Sequence, residues 1–284
     1  MIPPSFCDLG KTTKDLFNKN FHFGLLSVEY LSKSAQGVEL TIKGDNSLKA
    51  GKLNGSLEWK YKFENGLKNS VKWDTKNELG VNFSIENFIK TGSKLSADLG
   101  FNPDSGNKKM KMQTSFKRKY LNCGLDMCFT NLKPILIPSL VIGCTESKGY
   151  LLGAEITYDL NRMDLTRHKF SIGYHKDDLS LIGSLINKTD IETHIYQRIN
   201  PNVEVGVQIK WNWNSRNTEF GVAGKYQFDN SSIFKGKIDN KSILGLGYIF
   251  RARDNVDITL NAEIDGKDLE KGGHRFGMGL SYAP

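Results

Sequence analysis

The chain has 284 residues, 38% of them hydrophobic and 25% charged, with a formal net charge of +8. It contains no run of about 18 apolar residues, so none of its helices is built to cross a bilayer; the longest apolar stretch, PILIPSLVIGC from Pro134, is short and interrupted by two prolines. This excludes a helical membrane protein. A soluble β-protein and a membrane β-barrel both remain, because barrel strands need only about 9–11 residues, every second one of them polar.

The first 24 residues differ from the rest. MIPPSFCDLG lacks a long apolar core, carries Asp8, and is followed by Asp15 with no arginine before Arg118. It is expected to be neither a secretory signal nor a cleavable transit peptide. DLGKTTKDLFNKN reads as a short helix with Asp8 as its N-cap. Leu9, Thr13, Leu16 and Phe17 form a narrow apolar stripe, and Lys11, Lys14, Asp15 and Asn18 a charged face. Such a helix lies on a surface or membrane interface, or sits inside a barrel with its stripe on the wall and its lysines toward the pore.

From residue 25 onward the pattern has period 2. In GSLEWKYKF, Leu57, Trp59, Tyr61 and Phe63 oppose Glu58, Lys60 and Lys62. GVNFSIEN, HKFSIGYHK and NVDITLNAEID repeat the arrangement. VEVGVQIKWNWN, from Val203 to Asn214, alternates without a slip. Even the basic run GNKKMKMQTSFKRK alternates, with Lys109, Lys111, Gln113, Ser115 and Lys117 on one side. It therefore reads as a strand, and no nucleic-acid partner is expected. NPDSGN, KDD, INPN, FDNSS, RARDN and DGKDLEKGG read as turns.

A strand with its turn takes roughly a dozen residues, so well over a dozen strands follow, and no boundary divides them. About eight strands can fill a barrel interior with side chains, whereas sixteen or more enclose water. The polar phase carries Lys43, Lys60, Lys62, Lys111, Lys210, Lys225 and Lys237. A lysine facing lipid at the midplane costs about 2–4 kcal/mol, so a membrane barrel must aim these inward. Trp59, Tyr61, Trp73, Trp211, Trp213, Tyr226 and Tyr248 share the apolar phase, as interfacial girdles require. Cys7, Cys123, Cys128 and Cys144 lack metal-site spacing and read as plain thiols. The five histidines are scattered and no catalytic grouping or phosphate loop appears, so neither enzyme activity nor a cofactor is expected.

These features together resemble the voltage-dependent anion channel family, the eukaryotic mitochondrial porins. PPSFCDLGKTTKDLFNKNFHFGL looks like that family's N-terminal helix and linker. YQFDNSSIFKGKIDNKSILGLGY follows its signature through Tyr226, Asp229, Gly236, Lys237, Asn240, Gly245, Leu246 and Tyr248. In the last hairpin, Arg275, Gly277, Leu280 and Tyr282 fit the sorting signal of outer-membrane barrels. The resemblance implies an all-β transmembrane barrel of about 19 strands with an amphipathic helix in its lumen. Residues 1–24 would form helix and linker, and 25–284 the barrel. It implies a passive, voltage-dependent, anion-preferring pore of the mitochondrial outer membrane. The solutes would be ATP, ADP, phosphate and chloride, and the other partners membrane lipids and further copies of the chain. Lys11, Lys14 and Lys19 match basic positions of the lumenal helix, and Lys94, Lys111 and Lys117 wall lysines. With Lys60, Lys210 and Lys237 these are the candidate anion-attracting residues.

Three departures stand out. Val71 occupies the place of a lipid-facing glutamate, so functions tied to that acid, calcium sensitivity and kinase docking among them, are not expected. Asn20 and His22 replace linker glycines, predicting a stiffer linker and weaker gating. GSK at Gly92–Lys94 replaces GLK. The departures raise a second reading, a divergent paralogue acting mainly in docking or regulation. A soluble ligand-binding β-protein is the third.

Overall fold

The computed structural model describes residues 2–88, 90–131, 133–143, 149–267, 269–270 and 272–284. Cys144 lies outside them. The described residues form nineteen strands, from β1 (Leu25–Lys33) and β2 (Glu39–Ser47) to β18 (Val256–Asp265) and β19 (Arg275–Tyr282). Each strand pairs antiparallel with its chain neighbours, and β1 closes the sheet against β19. Closure with an odd number of strands has a geometric consequence. In a meander the first and last strands then run the same way, so the seam is parallel, with Leu26 opposite Met278 and Val28 opposite Leu280. Closing the ring leaves no sheet edge, which is the condition for backbone to lie in hydrocarbon.

The apolar phase faces outward. Ile172 is 68% and Phe170 50% exposed, whereas Lys235 is 5% exposed. A soluble protein would reverse this order. Tyr61 and Phe63 at the end of β3 (Leu53–Lys62) meet edge-on at 4.7 Å, and Tyr226 and Phe228 do the same at 4.6 Å. Tyr150 and Tyr174 lie 5.3 Å apart and Trp211 and Trp213 5.0 Å. These pairs sit near strand ends, where amphipathic rings bridge hydrocarbon and water.

Two details differ from the sequence reading. The alternating stretch from Val203 ends as strand β14 at Asn212, whose side-chain oxygen accepts from the amide of Ser215 and starts a turn that contains Trp213, whose own amide donates to the carbonyl of Thr189 at 2.8 Å. RARDN is mostly strand, since β17 (Ile243–Arg253) runs through its first three residues.

The outward phase of β14 gives a direct test. Val207→Lys should destabilise the barrel by about 2–4 kcal/mol in reversible unfolding from bilayers, because it puts an ammonium in lipid. Gln208→Lys, one residue along and facing the lumen, should leave the midpoint nearly unchanged.

Candidate functional site: the lumen and its internal segment

Ser5 and the turn at Phe6–Asp8 open the internal segment, and helix α1 spans Lys11–Asn18. The expected N-cap is displaced. Asp8 belongs to the preceding turn, where Ser5 donates to its carboxylate and Lys11 approaches it at 3.2 Å. Gly10 is the actual N-cap, at φ +72°, with no side-chain capping bond. A Cβ at Gly10 would lie 2.8 Å from the ring of His194, so both the left-handed backbone and the contact below require glycine.

The segment lies on the polar phase of the wall, inside the barrel. Phe6 and Leu9 pack with Val141 of β9 (Lys133–Gly143), Leu151 of β10 (Tyr150–Asp159) and Ile182 of β12 (Leu179–Ile186). These three wall residues break the polar-inward rule where the segment covers them. Thr13 and Leu16 are buried, and Thr13 Oγ1 donates to the carbonyl of Ile195 at 3.4 Å on β13 (Asp190–Asn200). Inward glycines make room for the segment. A Cβ at Gly153 would meet Phe6 at 3.0 Å, at Gly206 it would meet Leu16 at 2.9 Å, and at Gly221 Phe17 at 3.0 Å.

The far end of the segment is tied down by polar groups. On β16 (Ser232–Asp239), Lys235 Nζ donates to the carbonyl of Lys19 at 2.7 Å and approaches that of Asp15 at 3.5 Å. Lys237 Nζ donates to the carbonyl of Phe17 at 2.8 Å. Phe21 and Phe23 of the linker stack at 5.2 Å, and both lysine ammoniums lie over the Phe21 ring. Asn20 takes φ +65°, a left-handed conformation that asparagine tolerates. With the Asn261 amide oriented to suit its neighbours, it donates to the carbonyl of Asn20 and accepts from the amide of His22, both at 3.1 Å. The linker backbone then crosses Gly277 so closely that a Cβ there would lie 1.7 Å from the carbonyl of His22.

The candidate lysines fall into distinct environments. Lys19, Lys60, Lys94, Lys117 and Lys210 are exposed to the lumen, Lys14 and Lys111 less so. Several carry carboxylate partners: Lys11 with Asp8, Lys60 with Glu58 at 3.3 Å, Lys111 with Asp126 at 3.2 Å and Lys210 with Glu192 at 3.9 Å. Glu192 also meets Lys169 at 3.2 Å and His194 at 3.3 Å, beside the N-terminus of α1. Lys43–Glu29 and Lys225–Glu204 are cross-strand pairs at 2.8 and 2.9 Å. The lumenal lysines are thus partly paired with carboxylates, not a row of bare ammoniums. Of the candidate sorting residues, Arg275 pairs with Glu263 and shares the lumenal phase with Gly277, whereas Leu280 and Tyr282 face outward with Met278. Gly92, at φ +96°, accepts the amide of Lys117 at 2.9 Å, which sets Lys94 beside β7 (Lys108–Arg118).

Sequence reasoning missed Lys235, Lys169, Glu192 and His194. Lys235 was detectable, since FKGKID places it in phase with Lys237. Glu192 and His194 share the inward phase of β13, but nothing local says that a helix covers them.

The eukaryotic porin family model matches residues 2–277. The chain belongs to the eukaryotic porin family. It is 41% identical to the non-selective voltage-gated ion channel VDAC2 of Meleagris gallopavo, over 98% of this chain and 94% of that one. It is 39% identical to VDAC2 of Xenopus laevis, over 98% of both chains. To the non-selective voltage-gated ion channel VDAC1 of Homo sapiens it is 36% identical, over 99% of both. As a porin, this chain keeps Val71 on the outward face of β4 (Leu67–Asp74), opposite Val81 and Trp59, so its lipid belt is apolar there.

Leu16, 4% exposed, packs on the wall at Gly206. Leu16→Ala should weaken docking of the segment by about 2–5 kcal/mol. Hydrogen exchange should speed up at the α1 amides and stay unchanged in β13 to β15 (Asn217–Gln227).

Proposed function

We propose that this porin is a passive, voltage-gated pore of the mitochondrial outer membrane that favours anions and passes nucleotides, phosphate and chloride. The observation that carries the reading is the set of lysines on the lumenal face of the wall, around a helix that carries lysines of its own, in a chain of net charge +8. Lys11, Lys14 and Lys19 stand on the internal segment, and Lys60, Lys94, Lys111, Lys117 and Lys210 on the wall. Fixed positive charge raises the local concentration of anions. Because carboxylates partner several of these lysines and water fills the lumen, each solute contact is weak and screened. A solute is then drawn in without being held, which passive flux requires. The preference is accordingly modest, in keeping with relatives named non-selective channels.

The apolar outer belt makes lipid the immediate partner, and copies of the chain are proposed to associate through it within the bilayer. The Val71 belt and the tethered linker favour one second reading, a pore with altered gating whose main role is docking or regulation.

Planar-bilayer recording tests both. Under a salt gradient the reversal potential should shift toward the anion equilibrium potential, with large conductance steps. A silent protein would favour the second reading, and a cation-directed potential would overturn the first. Lys14→Glu with Lys19→Glu changes the net charge by −2 twice, from +8 to +4. The double variant should lose most of the anion preference at unchanged barrel content. Selectivity equal to the parent's would remove these lysines from the conduction path.

A further inference from the structure

The geometry points to Lys235 and Lys237 as positioning residues. They moor the C-terminal end of the lumenal helix and its linker to β16, and so oppose closure of the pore by voltage. Three observations converge. The two ammoniums donate to the carbonyls of Lys19 and Phe17 at 2.7 and 2.8 Å, and Lys235 also lies 3.5 Å from that of Asp15. The carbonyls of Phe17 and Lys19 lie at the end of α1, where the helix cannot satisfy them itself and its dipole is negative, whereas that of Asp15 already accepts the amide of Lys19 at 2.9 Å. Both ammoniums also lie over aromatic faces of the linker. Lys235 is 5.1 Å from the Phe21 centroid, and Lys237 is 4.5 Å from Phe21 and 5.1 Å from Phe23. Finally, the wall beside them is cut back for the same rings: a Cβ at Gly245 would lie 2.8 Å from Phe23, and one at Gly247 3.3 Å from Phe21.

The mooring acts on an element that cannot hold itself. α1 has eight residues, and isolated helices shorter than about 12–15 residues are marginal in water. Leu9 before it and Thr13 and Leu16 within it are held by apolar packing, whereas Asn18, Lys19 and Asn20, where the helix passes into the linker, are exposed. Lys235 is 5% exposed and pairs with no carboxylate among the described residues, so its charge is committed to helix carbonyls and to the Phe21 ring. Lys237, expected from its phase to attract anions, is likewise half-buried and turned to the helix.

The test separates charge from packing. Lys235→Met with Lys237→Met keeps the stems and removes the ammoniums; Lys235→Arg with Lys237→Arg keeps charge and donors. A nitroxide is placed at Asn18→Cys with the four native cysteines changed to serine. The parent and the arginine pair should give an immobilised spectrum and the methionine pair a mobile one, with strand content by circular dichroism equal in all three. In bilayers the methionine pair should close at lower voltage than the parent, and the arginine pair should restore the parent's value. An unchanged label in the methionine pair overturns the proposal, and so does an unchanged voltage dependence. If the double methionine variant does not fold, Lys237→Met alone is read by the same two measurements. The spectrum needs no conduction, so it holds even if the ion preference proposed above fails.

Discussion

In hydrocarbon an unpaired peptide group has no water to turn to, and that constraint organises this molecule. Each such group costs several kcal/mol, so the sheet must close on itself. Closing nineteen strands fixes the parallel seam between Leu26–Tyr30 and Met278–Tyr282. Closure also fixes chirality of exposure. Once one residue of a strand points to lipid, the pleat assigns every other residue a side, and a slip by one would put Lys210 and Lys237 into the bilayer. The lipid belt and the charged lumen are thus one decision, taken once per strand by register.

The lumen then faces a difficulty of its own. A wide barrel has no dry centre, and a wall of alternating polar residues would be flexible and featureless. The N-terminal segment solves this locally by bringing a small core inside. Phe6 and Leu9 meet Val141, Leu151 and Ile182, the one place among the described residues where a cluster of buried apolar side chains forms. Burial there of a few side chains at about 1.5–3 kcal/mol each is enough to dock a short helix, but not to make it permanent.

Much of this was legible in the chain. The phase of VEVGVQIKWNWN, the aromatics at strand ends and the stripe Leu9, Thr13, Leu16 follow from side-chain periodicity alone, and the structure places them accordingly. Asp8 was misplaced because Asp at the start of a helical stripe suggests a cap, while the left-handed turn at Gly10 is a matter of what lies beneath it. His194 is 184 positions away and leaves room for no Cβ. The inward apolar patch was hidden for a related reason. In LSLIGSLI, Ile182 breaks the alternation, which reads as a noisy strand until a partner from the opposite end of the chain covers it. Strand count came from family resemblance, since alternation marks strands without numbering them.

Lys235 shows most clearly how the same residue type serves opposite ends. In water an ammonium is an anion-attracting charge; 5% exposed under a helix it is a hydrogen-bond donor whose partner lies 216 residues away. A charge-assisted bond contributes about 1.5–3 kcal/mol, but only while the ammonium's burial is matched by acceptors. The carbonyls of α1 supply them because a helix end leaves four unsatisfied. Removing the helix would therefore strand the buried ammonium of Lys235 and the half-buried one of Lys237 as well as free the carbonyls of Lys19 and Phe17, and water would have to enter to hydrate them. That mutual dependence ties the end of the segment to the wall by electrostatics, where Phe6, Leu9, Thr13 and Leu16 tie the rest of it by packing.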